Sequence, residues 1–252
     1  MGDRRTYLID NLVKICRKLD SRGFGANHDG NVSVKYQDTL LATPTSESKG
    51  AIAADMIITL DMDGKKIEGI GKPFSEIQLH LAAYRAREEI SAVVHAHPPF
   101  ATAQGLTGQA LRPCLPEAVV SIGDMIPVAP YAMPGAEENS SLVAEALDQA
   151  DVFMMQGNGV LSTGPDIEQA YLRLELVEHI AKIQYYAQSM GKPFTIPTQD
   201  MARLLEKRAS IGLGPKAGGP PAAAPLEGGR HDADAIRKII ADEIRKVLKG
   251  ES

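Results

Sequence analysis

The chain has 252 residues, 44% hydrophobic and 23% charged, which is enough for one globular core with an appendage and too little for two full-sized domains. A formal net charge of −5 argues against a nucleic-acid backbone as the main partner, because proteins that bind one carry a basic excess or a basic face. The two cysteines, Cys16 and Cys114, suggest neither a disulfide framework nor a cysteine zinc site, and the chain shows neither a secretory leader nor a membrane-spanning run, so a soluble cytoplasmic protein is expected.

Leu8, Leu12, Ile15 and Leu19 recur at helical spacing, which predicts an amphipathic helix ending near Gly23. "GNVSVKY" alternates valines with small or polar residues and reads as a strand, and "MIITLDMDGKKIEG" reads as two strands joined through Asp63 and Gly64. "PFSEIQLHLAAYRAREE" places Pro73 ahead of a helix with Ile77, Leu81 and Tyr84 on one face, and "ISAVVHAHPP" follows as a short buried strand. A proline-rich loop region comes next, then a helix at "NSSLVAEALDQA", a strand broken by glycines at "DVFMMQGNGVLSTG", and a long helix at "DIEQAYLRLELVEHIAKIQYYAQSMG". The pattern lacks the regular units and glycine fingerprint of a dinucleotide fold. It predicts one α/β domain over residues 1–211.

Residues 212–230, "GLGPKAGGPPAAAPLEGGR", are almost all Gly, Pro and Ala and predict a flexible linker. Residues 231–252 place Ile236, Ile239, Ile240, Ile244, Val247 and Leu248 at spacings of three and four, the narrow apolar stripe of an amphipathic helix that needs a partner to bury it. Acidic and basic residues nearly balance on its polar face, which favours a protein groove over a membrane surface.

In a strand, alternate residues share a face, so His95 and His97 point to the same side as Val93, with Ala92, Val94 and Ala96 on the other. Such a pair either chelates a divalent metal, zinc first, or is hydrogen-bonded at a loop entrance. Glu76 on the preceding helix offers a carboxylate for acid-base work or for a ligand set. "GANHDGNVS" presents backbone N–H groups and the Asn31 amide, and "TPTSESKG" offers Thr45, Ser46, Ser48 and Lys49, which suits an anion such as phosphate and equally an ordinary turn.

"GNVSVKYQDTLLATPT", "SEIQLHLAAYRAREEISAVVHAHPPFATA", "IPVAPYAMPG" and "GNGVLSTGPDIEQAYLRLELVEHIAKI" occur in this order and together resemble the class II aldolase/adducin family, on its L-fuculose-phosphate aldolase branch. The resemblance implies a three-layer α-β-α fold with a central, mainly antiparallel sheet, and a homotetramer with active sites between neighbouring subunits. It implies that His95 and His97 bind Zn2+ or another divalent metal and that Glu76 is the catalytic acid/base. Asn31, Thr45 and Ser75 then hold the substrate phosphate, with Ser46 beside them in the same loop. The implied reaction cleaves a deoxyketose 1-phosphate, L-fuculose or L-rhamnulose 1-phosphate, to dihydroxyacetone phosphate and lactaldehyde. Related outcomes are epimerisation, dehydration or decarboxylation, and the fold also serves as a non-catalytic adducin-like module.

The sequence departs from the family pattern at named positions. The third zinc histidine is matched by Asn158, Phe74 stands where the first serine of Ser-Ser-Glu is usual, and Ser46 stands at a glycine. A tyrosine expected ahead of "IPVAPY" is absent, with Pro116 and Glu117 in its neighbourhood; Glu117 reads as a surface glutamate. His80, four residues after Glu76, reads as structural, and His28 and His179 as remote from any metal. The tail resembles the encapsulation peptides that carry enzymes into bacterial microcompartments, which implies a shell protein as partner and a location inside such a compartment.

Overall fold

The computed structural model describes residues 4–133 and 138–215. Of the expected linker only 212–215 fall within them, and the expected tail helix over 231–252 lies outside.

Helix α1 (Arg4–Ser21) buries Leu12, Ile15 and Leu19 on one stripe. It stops at Gly23, whose φ of 68° closes a Schellman turn: the Phe24 amide donates to the Leu19 carbonyl and the Gly23 amide to that of Asp20. Strands β1 (Asn31–Tyr36), β2 (Thr39–Ala42), β3 (Ile58–Asp61) and β4 (Lys66–Glu68) then form an antiparallel meander. Helix α2 (Ile77–Ala86) leads into β5 (Ala92–Ala96), every residue of which is buried.

The proline-rich region holds two short helices that the sequence reading did not anticipate, α3 (Pro99–Leu106) and α4 (Pro116–Ile122), each with proline at its first position. Strand β6 (Val128–Ala129) and helix α5 (Glu138–Gln149) follow. The stretch read as one broken strand is a hairpin of β7 (Val152–Met155) and β8 (Val160–Gly164). Helix α6 (Ile167–Met190) starts where the Asp166 carboxylate accepts from the Gln169 amide, and α7 (Thr198–Ser210) ends the domain.

The eight strands form one sheet in the order β4-β3-β2-β1-β5-β8-β7-β6, antiparallel at every pairing except β6 with β7. Apolar side chains on one face pack under α1, α3, α4 and α6, and those on the other under α2 and α5. This is the expected three-layer α/β architecture. The alternation in β5 is as read from sequence: Ala92, Val94 and Ala96 enter the first cluster and Val93 the second. No helix among the described residues is long and apolar enough to cross a membrane.

Candidate active site

The site forms where the ends of β1 and β5, the N-terminus of α2 and the β7–β8 turn meet. Antiparallel register sets Asn31 opposite His95 and Ser33 opposite Val93, so Asn31, Ser33 and His95 share the face covered by α2. Glu76 is the residue just ahead of α2, with φ −89° and ψ 12°, in the sparsely populated bridge region where active-site residues are often found. The helix read from the sequence begins at Ile77, with Pro73 ahead of it. The turn ahead of it aims the Glu76 carboxylate at β1 and β5.

Seven of the eight candidate residues, Asn31, Thr45, Ser46, Ser75, Glu76, His97 and Asn158, line one polar cleft of about 260 Å³. The eighth, His95, is fully buried behind His97. A polar cleft of this size suits a small polar molecule. His28 and Asp29 also border it, which places His28 nearer the chemistry than the sequence reading had it. Glu117 and His179 are exposed on α4 and α6. Ser46 holds φ 63°, a left-handed conformation that costs a non-glycine residue about 1–2 kcal/mol. The loop keeps the shape a glycine would take and adds a hydroxyl at the cleft wall.

The Glu76 carboxylate is gripped at both oxygens. Asn158 Nδ2 donates to Oε1 at 2.6 Å, Asn31 Nδ2 donates to Oε2 at 2.9 Å, and His95 Nε2 lies 3.5 Å from Oε2. Burial by itself raises the acid, but His95 and the two amide donors outweigh it and hold the group down at about 2, so Glu76 is ionised at neutral pH. Behind it runs a buried hydrogen-bonded thread that the sequence reading missed. His80 Nε2 meets Asn31 Oδ1 at 2.6 Å, His80 Nδ1 meets Ser33 Oγ at 2.7 Å, and Ser33 Oγ meets Tyr84 Oη at 2.7 Å. Because Asn31 gives its amide hydrogen to Glu76, its oxygen accepts from His80. His80 is therefore the Nε2–H tautomer, and its Nδ1 accepts from Ser33. Burial first, then the neighbouring His95, pushes His80 down to about 3.

Whether these residues fit a metal is decided at the imidazole pair. His95 Nδ1 lies 3.0 Å from the Val160 carbonyl, which only an N–H can meet, so Nε2 is the ring nitrogen turned to the site. His97 Nε2 lies 3.3 Å from it, while His97 Nδ1 is turned to the Asp29 carboxylate at 3.6 Å. Burial, then His95, keeps His97 below the usual imidazole range, hence neutral. Two ring nitrogens facing each other across 3.3 Å share one hydrogen in an N–H···N bond or, with that hydrogen displaced, turn two lone pairs to a cation, and carbonyl or carboxylate support behind each ring is the usual second layer of a metal site. Among the described residues no group of three or more His, Cys, Asp or Glu side chains is arranged to hold a metal. The pair fits a divalent cation with two nitrogen donors, the rest of whose shell comes from oxygen.

Gly159 makes this convergence possible. It has φ 68°, and a Cβ there would run into the Ala96 carbonyl and the His97 ring, so only glycine lets the β7–β8 turn close against His97.

Residues 10–185 match the model of the Class II Aldolase and Adducin N-terminal domain. The chain is 31% identical over 210 residues to the L-fuculose phosphate aldolase of Escherichia coli strain K12, covering 83% of this chain and 97% of that protein. It is 28% identical over 205 residues to the 5-deoxy-D-ribulose 1-phosphate aldolase of Bacillus thuringiensis serovar kurstaki, covering 81% and 96%. Its fold superposes on a solved L-fuculose 1-phosphate aldolase with a TM-score of 0.74 at 27% identity, over 82% of this chain and 97% of that one.

Proposed function

Since the chain belongs to the class II aldolase and adducin family and is a class II aldolase, a carbon–carbon lyase, we propose that it cleaves a deoxyketose 1-phosphate such as L-fuculose or L-rhamnulose 1-phosphate. The products are dihydroxyacetone phosphate and lactaldehyde. The observation that carries the reading is the ionised Glu76, held at both oxygens beside two converging imidazoles at the wall of a small polar cleft. The names of the relatives, an L-fuculose phosphate and a 5-deoxy-D-ribulose 1-phosphate aldolase, support a deoxysugar phosphate.

Breaking the C3–C4 bond of such a ketose requires the C4 hydroxyl to lose a proton and C3 to gain one. Glu76, ionised at rest, takes the first and returns it to C3, so one carboxylate serves both transfers. A divalent cation such as Zn2+ held by His95 and His97 would supply Lewis-acid stabilisation of the charge left on the ketose fragment. Asn31 fixes the Glu76 carboxylate. The Thr45–Ser46 loop and Ser75 offer hydroxyl and backbone donors to the phosphate, in a cleft whose lining among the described residues includes no Lys or Arg.

We place the protein in a homotetramer with sites between neighbours, supported by exposed Tyr185, Tyr186, Met190 and Phe194 on and after α6. The tail composition supports a role as cargo of a bacterial microcompartment, bound to a shell protein through residues 231–252. Light scattering at one chain mass refutes the first proposal. Undiminished co-sedimentation with purified shells after removal of residues 212–252 refutes the second.

The central test is dihydroxyacetone phosphate release from L-fuculose 1-phosphate, with added zinc and with chelator, beside Glu76→Gln. Zinc-dependent release that falls by about 100-fold or more in the variant is expected. No release from L-fuculose or L-rhamnulose 1-phosphate under any condition sinks the reading.

A further inference from the structure

Asn158 occupies the position at which the resemblance puts a third metal-binding imidazole, and its geometry gives it another task. It sits between Gly157, φ 80°, and Gly159, φ 68°, in the β7–β8 turn, and its own amide donates to the Met155 carbonyl at 3.0 Å. The backbone that carries the side chain is thus set by the turn itself.

Its shortest contact is Nδ2 to Glu76 Oε1 at 2.6 Å, at the short limit even for a charge-assisted hydrogen bond. The NH2 end of the amide therefore faces Glu76 and donates to it. The carbonyl end, which also reaches His97, is a neutral oxygen and a poor ligand for a cation that favours imidazole nitrogen. Asn31 holds the other carboxylate oxygen at 2.9 Å, so the two amides stand as a matched pair on either side of Glu76.

We propose that Asn158 is a positioning residue for Glu76 and not a metal ligand. It holds the carboxylate in the attitude that proton transfer needs, and a metal held by His95 and His97 would take its remaining ligands from elsewhere than Asn158. The inference rests on the aldolase reading for its kinetic part and on metal affinity for the rest.

Asn158→Asp and Asn158→Ala separate the two roles, because aspartate keeps the oxygen that would bind a metal and loses the hydrogen that Glu76 accepts. Zinc affinity is measured by competition with a chromophoric chelator, and kcat and KM by dihydroxyacetone phosphate release. The expected result is a kcat lower by about tenfold or more in both variants with KM changed by less than about threefold, and zinc affinity in the alanine variant within about threefold of wild type. Zinc affinity that drops about tenfold or more in Asn158→Ala and returns in Asn158→Asp together with kcat overturns the proposal, since that is how a ligand behaves. An alanine variant with unchanged kcat overturns it as well. A wild type inactive on these ketose phosphates defeats the aldolase reading, and the affinity series then decides the role of Asn158 by itself.

Discussion

Imidazole in water takes up a proton near pH 6.5, and His80 has been moved well below that value by burial and by His95. Its folded-state value of about 3 lies under its unfolded one, so the unfolded chain binds the extra proton first as pH falls. The stability this group contributes is complete above about pH 6.5 and drains away toward pH 3, by about 3 kcal/mol between pH 7 and pH 4. His97, also lowered, adds loss of the same sign, and Glu76 joins only below its unfolded value near 4.5. Urea midpoints in chelator should therefore fall steadily from pH 6.5 to 4.5, and His80→Gln should flatten that limb to the part due to His97. A variant with an unaltered limb would show that His80 is not the group responsible. The sequence showed that His80 shares a helical face with Glu76, since i and i+4 do so in any helix. It did not show Ser33 or Asn31 across the gap, because which strand a helix faces is set by tertiary packing and leaves no local mark.

At the level of elements, the β7–β8 turn decides the site. Gly159→Ala puts a methyl group against the His97 ring and the Ala96 carbonyl and asks alanine for a left-handed backbone. We expect this variant to keep helix content by circular dichroism while losing about tenfold or more in zinc affinity, since the imidazole pair is pushed apart. Full affinity in a folded Gly159→Ala protein would mean that the turn relaxes without moving His97. The glycines of "QGNG" were legible as a break but not as a hairpin, because both flanking runs are buried on both faces and lack the alternation that marks a separate strand. Strand β2 went unread for another reason: four residues, "TLLA", are too few to show a period. Helix α7 went unread because its stripe, Met201, Leu204 and Leu205, is short and only half-buried.

At the scale of the whole molecule, Asp151 at the head of β7 joins parts distant in sequence. Its carboxylate, 1% exposed, meets Arg87 after α2 at 2.8 Å, Arg173 of α6 at 3.1 Å and Arg208 of α7 at 2.9 Å. Arg208 also caps the end of α4 through the Val120 and Ser121 carbonyls. The cluster hinges on Asp151: losing it takes the shared counter-charge from three arginines, at a cost of about 3–5 kcal/mol, whereas losing Arg208 leaves Asp151 paired with Arg87 and Arg173 and removes the tie between α7 and α4. Arg208→Ala should free α7, seen as early proteolytic cleavage near residues 198–210, with the catalytic rate little changed. Unchanged cleavage would mean that the apolar contacts of α7 suffice. The three-layer class was legible from the order of strand and helix patterns, whereas this cluster was not, since its members are spread over more than a hundred residues.

The strand bearing His95 is paired on both sides, by β1 and by β8, and is covered above and below. Its amides have no local route to solvent, so their hydrogen exchange must await global opening. Heat should then abolish the imidazole pair and the native fold in a single step, leaving no folded but empty-handed form to linger in between.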